Sequence, residues 1–209
     1  MADIAPTATA STPEEYKAEI NRVASFTKRI HIDLADGEFA PTKLINPAEV
    51  WWPEQLTADI HVMYQRPAEV LETLASMNPS LIVIHAEADG GLSGLLQQIK
   101  DFGIRAGIAL LKPTNAESVD ELIRLADHVL VFSGDLGYHG GTVDFELLDK
   151  VAEVKRLNPE AEIGWDGGIT AESAAHLVDG GVDVLNVGGF IQQSDDPAGA
   201  YQQVVSALP

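Results

Sequence analysis

The chain has 209 residues, 45% hydrophobic and 22% charged, which is the mix of an ordinary globular protein able to bury a large core. Lys and Arg number 13 against 32 Asp and Glu, and the net charge of −19 speaks against nucleic-acid binding and disfavours docking on anionic lipid. The absence of cysteine excludes a disulfide framework, a thiolate metal site and a thiol nucleophile, and is compatible with a cytoplasmic protein.

The first ten residues carry no basic segment and no long apolar run, so neither a signal peptide nor a membrane span is expected. A first strand is predicted over Ile4–Thr9. Thr12-Pro13-Glu14-Glu15 then reads as a capping box with proline at the first helical position, followed by Tyr16, Ile20 and Val23 at helical spacing. Further strands are expected over Arg29–Asp33 and Asp59–Met63, with Trp51-Trp52 between them read as packing of a helix on the sheet. Leu81–His85 is a nearly continuous apolar run, as strands covered on both faces read. Arg105–Leu110 and His128–Ser133 come next. Leu147, Val151 and Val154 form a helical stripe, with Asp149, Lys150 and Glu153 expected on the other side. Glu162–Asp166 and Val184–Val187 complete the series, and Gly103, Gly180 and Gly181 stand where helices should end. This alternation implies repeated βα units: an α/β fold, a single (β/α)8 barrel domain over residues 1–209. The alternative is a doubly wound open sheet. Against it, Ala8-Thr9-Ala10-Ser11 stands where a dinucleotide-binding glycine motif would follow the first strand.

In such a barrel the chemistry sits at the carboxyl ends of the strands. There the sequence places Thr7, His31-Ile32-Asp33, His61 with Met63, His85 with Glu87, Lys112, Ser133 with Asp135, and Asp166. Side chains at i and i+2 of a strand share a face. If that face points inward, His31, Asp33, His61 and Asp166 converge near the axis. Two imidazoles and two carboxylates suit one divalent cation such as Zn, Mn or Fe. The plain alternative is a set of satisfied polar residues and helix caps. Of the other histidines, His128 is placed at the opposite end of the barrel and His176 on a solvated helix face. His139 sits in a glycine-rich loop where it could touch a substrate.

Glycines cluster after the last three strands: Gly134, Gly137, Gly140 and Gly141, then Gly167-Gly168, then Gly188-Gly189. Lacking a Cβ, such loops can turn backbone N–H groups onto an anion, a neutral route to phosphate binding on an acidic protein. They could equally make tight turns only.

These segments resemble the ribulose-phosphate 3-epimerase family. The family's strand-two motif stands here as His31-Ile32-Asp33-Leu34-Ala35-Asp36-Gly37-Glu38-Phe39-Ala40-Pro41. Its Asp-Val-His-Leu-Met stands as Asp59-Ile60-His61-Val62-Met63, its His-x-Glu as His85-Ala86-Glu87, its Val-Asp-Gly-Gly-Ile as Trp165-Asp166-Gly167-Gly168-Ile169, and its Ala-Pro-Ser as Ala5-Pro6-Thr7. The resemblance implies a ribulose-phosphate-binding barrel. His31, Asp33, His61 and Asp166 would hold the metal, and Asp33 and Asp166 would be the acid/base pair. Thr7, Met63, Lys112 and Gly137, Gly140, Gly141, Gly167, Gly168, Gly188 and Gly189 would contact a small phosphorylated sugar. The implied reaction is D-ribulose 5-phosphate to D-xylulose 5-phosphate through an enediolate, in a protein that can form a homo-oligomer. Departures fall on the wall and the phosphate loop. Ala35 and Phe132 replace methionines, Lys112 replaces an Asn, and Asp135-Leu136-Gly137-Tyr138-His139-Gly140-Gly141 replaces Asn-Pro-Gly-Phe-Gly-Gly-Gln. They keep open a different ketose phosphate, such as allulose 6-phosphate, or a non-catalytic sugar-phosphate-binding paralogue. The related aldolase/decarboxylase group needs a Lys and a second Asp at strand three, which this chain lacks.

Overall fold

Eight short apolar runs form parallel strands: β1 Asp3–Ala8, β2 Arg29–Ala35, β3 Thr57–Met63, β4 Leu81–His85, β5 Arg105–Leu110, β6 His128–Phe132, β7 Glu162–Asp166 and β8 Val184–Val187. In the computed structural model, which describes residues 2–209, each strand pairs with the next and β8 returns to β1, closing the barrel. An open doubly wound sheet is thereby excluded. The α-helices are α1 Pro13–Val23, α2 Leu71–Ser76, α3 Leu92–Asp101, α4 Asp120–Leu125, α5 Leu148–Leu157, α6 Ala171–Asp179, α7 Gly189–Gln192 and α8 Pro197–Ala207. Among the described residues none is long and apolar enough to cross a membrane.

The βα repeat is broken once. Between β2 and β3 no α-helix forms, only a 3₁₀ turn at Pro47–Glu49. Pro41, Pro47 and Pro53 remove backbone donors along this segment, which therefore covers the barrel in extended form. Leu44, Ile45, Val50 and Leu56 are buried there. Trp52 packs against the core. Trp51 meets the ring of Tyr16 edge-on at 6.2 Å, and the Tyr16 hydroxyl donates to the Trp51 carbonyl at 2.6 Å. The tryptophans thus pack a loop, not a helix, on the barrel.

The local signals act as their chemistry dictates. The Thr12 hydroxyl accepts from the Glu15 N–H and the Glu15 carboxylate accepts from the Thr12 N–H, both at 3.2 Å. Tyr16, Ile20 and Val23 are the buried stripe of α1. In α5 the expected solvent face is wrong at one residue. Lys150 is buried, and its Nζ donates to the carbonyls of Leu111 and Lys112 at 2.6 and 3.1 Å, tying α5 to the loop after β5. Its long stem covers apolar surface while the ammonium finds backbone acceptors, which an apolar-stripe reading does not register.

Period-two alternation sorts the strand residues. Ile30, Ile32, Leu34, Ile60 and Val62 face the helices in the main apolar cluster, and a separate cluster of Leu81, Val83, Ala109 and Leu130 plugs the barrel. Below the plug lies a polar layer. Arg29 donates to Asp59 at 2.6 Å and to Glu162 at 2.9 and 3.0 Å, while Arg105 and His128 reach Glu162 at 3.0 and 2.8 Å. Burial pushes His128 below its ordinary value, so the ring serves there as a neutral donor. Burial alone would raise the Glu162 carboxyl, but the bonds from His128 and Arg29 outweigh it and hold it well below its usual 4.5. A depressed folded-state value stabilises the fold above 4.5, and that contribution is lost as pH falls further. Glu162→Gln is expected to cost about 2–3 kcal/mol in urea unfolding at pH 7. The gap to wild type should narrow as pH drops from about 5 towards 3.

Candidate metal and substrate site

The strand registers set Asp33 beside His61, and β7 carries Asp166 to the same end of the barrel. One ligand-type atom from each of His31, Asp33, His61 and Asp166 lies within 4.8 Å of all the others, and all four residues are buried. Asp33 Oδ1 faces His61 Nδ1 at 2.9 Å and His31 Nε2 at 3.4 Å. Asp166 Oδ2 lies 3.7 Å from His31 Nε2 and 3.8 Å from His61 Nδ1. Thr9, one step beyond Thr7 on the same face, donates its hydroxyl to Asp33 Oδ2 at 2.7 Å.

The electrostatics divide the two carboxylates. Burial alone would raise Asp33, but the imidazoles of His31 and His61 outweigh it and hold the group well below the carboxylate range. Asp166 is pushed up to about 7, first by burial and then by the charge of Asp33. Burial presses both imidazoles towards neutrality. It carries His61 down to about 4, whereas the facing Asp33 carries His31 above its ordinary value.

Do these residues fit a cation? His31 Nε2 is buried with no hydrogen-bond partner among the described residues. A second sign comes from counting protons. His61 Nε2 lies 2.8 Å from His85 Nε2, and His85 Nδ1 lies 3.3 Å from Glu87 Oε2. With the contact between His61 and Asp33 there are three gaps to bridge. One N–H per ring supplies only two. Glu87 is fixed by the Leu111 N–H at 3.0 Å and the Thr114 hydroxyl, so it orients the His85 Nδ1–H. His85 Nε2 then accepts from His61, leaving a lone pair on His61 Nδ1 aimed at a carboxylate oxygen. Two acceptors facing each other favour a cation between them. The N₂O₂ donor set fits a divalent metal.

A cavity of about 210 Å³ opens above this cluster. Of the residues expected to contact substrate, Thr7, Met63, Gly137, Gly140, Gly141, Gly167, Gly168, Gly188 and Gly189 all line it. Lys112 does not. It is exposed and borders a neighbouring shallow cleft with Pro41, Leu136 and Tyr138, because the grip of Lys150 on the loop carbonyls fixes that turn at the surface. The glycine pairs also differ among themselves. A Cβ on Gly167 would enter the backbone of Gly134, and one on Gly168 the backbone of Thr142 and Val143. The Gly168 N–H is already donated to the Gly140 carbonyl at 3.2 Å. The tight-turn reading therefore holds for Gly167 and Gly168 whatever else they do.

Several lining residues lie outside the sequence expectations. Asn186 is a polar residue inside the apolar run of β8, a signal that was available. Its Oδ1 and the Thr7 Oγ1 are buried beside the cavity without partners among the described residues. Phe132, by contrast, lines the cavity as expected for the wall and packs on His61 and His85, with ring centroids 5.7 and 6.0 Å away.

Comparison with known proteins agrees with this arrangement. The family profile described as "Ribulose-phosphate 3 epimerase family" matches residues 3–191. The ribulose-phosphate 3-epimerase of Helicobacter pylori (strain J99) is 33% identical over 174 residues, covering 80% of each chain. That of Bacillus subtilis is 29% identical over 183 residues, covering 84% of each. Among solved structures, 3-hexulose-6-phosphate synthase from Salmonella typhimurium superposes with a TM-score of 0.67 at 15% identity, covering 100% of this chain and 98% of that one, a likeness of fold. With its closed barrel, its buried cluster of two His and two Asp and these matches, the chain belongs to the ribulose-phosphate 3-epimerase family.

Proposed function

We propose that the chain is a metal-dependent 3-epimerase of a ketose phosphate, interconverting D-ribulose 5-phosphate and D-xylulose 5-phosphate. The observation that carries this reading is geometric: two buried carboxylates, Asp33 and Asp166, stand with two imidazoles, ligand-type atoms all within 4.8 Å of one another, at the floor of one cavity. Inverting a carbon alpha to a ketone needs this pair. One carboxylate removes the C3 proton, the bonding electrons pass into an enediolate, and the other returns a proton to the opposite face. In the reverse direction the roles exchange. A divalent cation (Zn, Mn or Fe) held by His31, Asp33, His61 and Asp166 would supply Lewis-acid stabilisation of the negative charge on the sugar oxygens.

The chain's own groups do the remainder. Thr9 fixes the Asp33 carboxylate through one oxygen. Met63 and Phe132 provide an apolar wall that keeps water from the carbanion. The unpartnered Thr7 hydroxyl and Asn186 carbonyl are available to sugar hydroxyls. Gly137, Gly140, Gly141, Gly188 and Gly189 stand on the side of the cavity assigned to the phosphate. The changed wall and phosphate loop, Phe132 and Asp135 to Gly141, keep open as a second reading a different ketose phosphate. A panel of five- and six-carbon ketose phosphates incubated with the protein in D₂O separates these. Deuterium should enter C3 of ribulose 5-phosphate with formation of xylulose 5-phosphate. Faster exchange into a six-carbon sugar would move the assignment to that sugar, and no exchange into any would end the enzyme reading.

A further inference from the structure

Among the residues lining the cavity there is no Lys or Arg; outside the metal cluster, His139 is the one side chain there that can carry positive charge. The ring spans a gap between elements far apart in sequence. Its Nε2 lies 3.0 Å from Glu19 Oε1 on α1, and the other Glu19 oxygen accepts the Thr9 N–H at 2.7 Å. Glu19 is therefore anchored before His139 reaches it. The opposite ring atom, Nδ1, makes no hydrogen bond among the described residues and lies against Gly188, 2.8 Å from where a Cβ would stand. Glycine at 188 is what leaves room for the imidazole. Glu19 and the more distant Asp33 and Asp166 raise the affinity of the ring for a proton, against the effect of burial.

This position bears on the phosphate problem. At the far end of the glycine loops the backbone donors are partly consumed, since the Gly168 N–H is bound to the Gly140 carbonyl. A dianion entering a protein of net charge −19 meets, among the described residues lining the cavity, no side chain able to carry positive charge but this one. Resting on the function proposed above, we propose that His139, held by Glu19, is the phosphate-recognising side chain of this site, with Nδ1–H donating to a phosphate oxygen beside Gly188 and Gly189. His139 would thus make the cavity select phosphorylated over unphosphorylated ketoses. Glu19 is a positioning residue that acts only through the ring.

The test compares wild type, His139→Gln and Glu19→Gln, using inorganic phosphate as the probe and D-ribulose against D-ribulose 5-phosphate as substrates. His139→Gln should weaken phosphate binding and raise KM for the phosphorylated sugar by about tenfold or more, as loss of a hydrogen bond to a charged group does. Exchange into unphosphorylated D-ribulose should not follow this loss, whereas a merely misfolded loop would depress both. Glu19→Gln should move phosphate affinity in the same direction by about threefold. If His139→Gln does not fold, Glu19→Gln and the movement of the His139 ring resonances of the wild type on adding phosphate give the same answer. Phosphate affinity unchanged in the folded variants, or no ring shift, overturns the proposal. A wild type that binds phosphate through His139 yet exchanges no ketose phosphate keeps this inference and removes the enzyme reading. A wild type that binds no phosphate removes the inference alone if it still turns over an unphosphorylated ketose.

Discussion

Asp166→Asn is expected to lower solvent-deuterium exchange at C3 of the ketose phosphate by about 10³-fold, with the fold intact. Asparagine keeps the size of the side chain and removes the proton it could give or take. The stability side of the same substitution runs the other way. Asp166 is pushed up to about 7 by burial and by Asp33, so at pH 7 its ionised form is disfavoured in the folded state. A raised carboxyl value costs stability above the unfolded value of 3.8, increasingly until pH passes 7. The neutral amide removes that cost, and metal-free Asp166→Asn should melt no lower than metal-free wild type. Asp33→Asn should abolish exchange to a similar extent but behave differently on unfolding. It takes away the charged acceptor of the Thr9 hydroxyl, so it should lower the melting temperature. Equal melting behaviour of the two variants would contradict the division of charge between the carboxylates.

Gly167→Ala should destabilise the protein by at least about 3 kcal/mol, read as a fall in melting temperature of about 6–12 °C for a domain of this size. The added methyl would occupy the space of the Gly134 backbone, and neither partner is a side chain able to swing away. The residue also has φ +112°, where an L side chain is strained. Parting the loops after β6 and β7 would shift Asp166, the preceding residue, and activity should fall with stability. Gly140→Ala is the control. It shares a positive φ of 108° but has nothing within 4 Å of the new methyl, so it should cost only about 1–2 kcal/mol of backbone strain. Similar losses at both positions would show that backbone conformation, not the close approach of the two loops, sets the requirement.

Most of the fold was legible because parallel strands buried on both faces must be apolar runs, and the runs at Leu81, His128 and Val184 begin where the strands do. The segment after β2 was not. Its apolar residues count towards a helix in a repeat, but its prolines forbid one. Lys150 misled for a related reason: polarity alone says nothing about whether a long stem lies across the core. At the site, the strand-end rule and period-two facing were enough to bring His31, Asp33, His61 and Asp166 together, since both are properties of the backbone. Lys112 follows the same rule in sequence but turns outward, because a loop, unlike a strand, does not fix where a side chain points. The contacts of His85 with His61, and of His139 with Glu19 across 120 positions, depend on packing across the barrel that no local pattern encodes.

The claim beneath all of this is that the barrel mouth holds one divalent cation on two imidazoles and two carboxylates. Native mass spectrometry of the folded protein with Zn, Mn or Fe(II) measures it directly. The account predicts one tightly held cation per chain in the wild type and its loss in the double variant His31→Ala, His61→Ala. A wild type that takes up no divalent cation, or a double variant that retains it as tightly, would contradict the account.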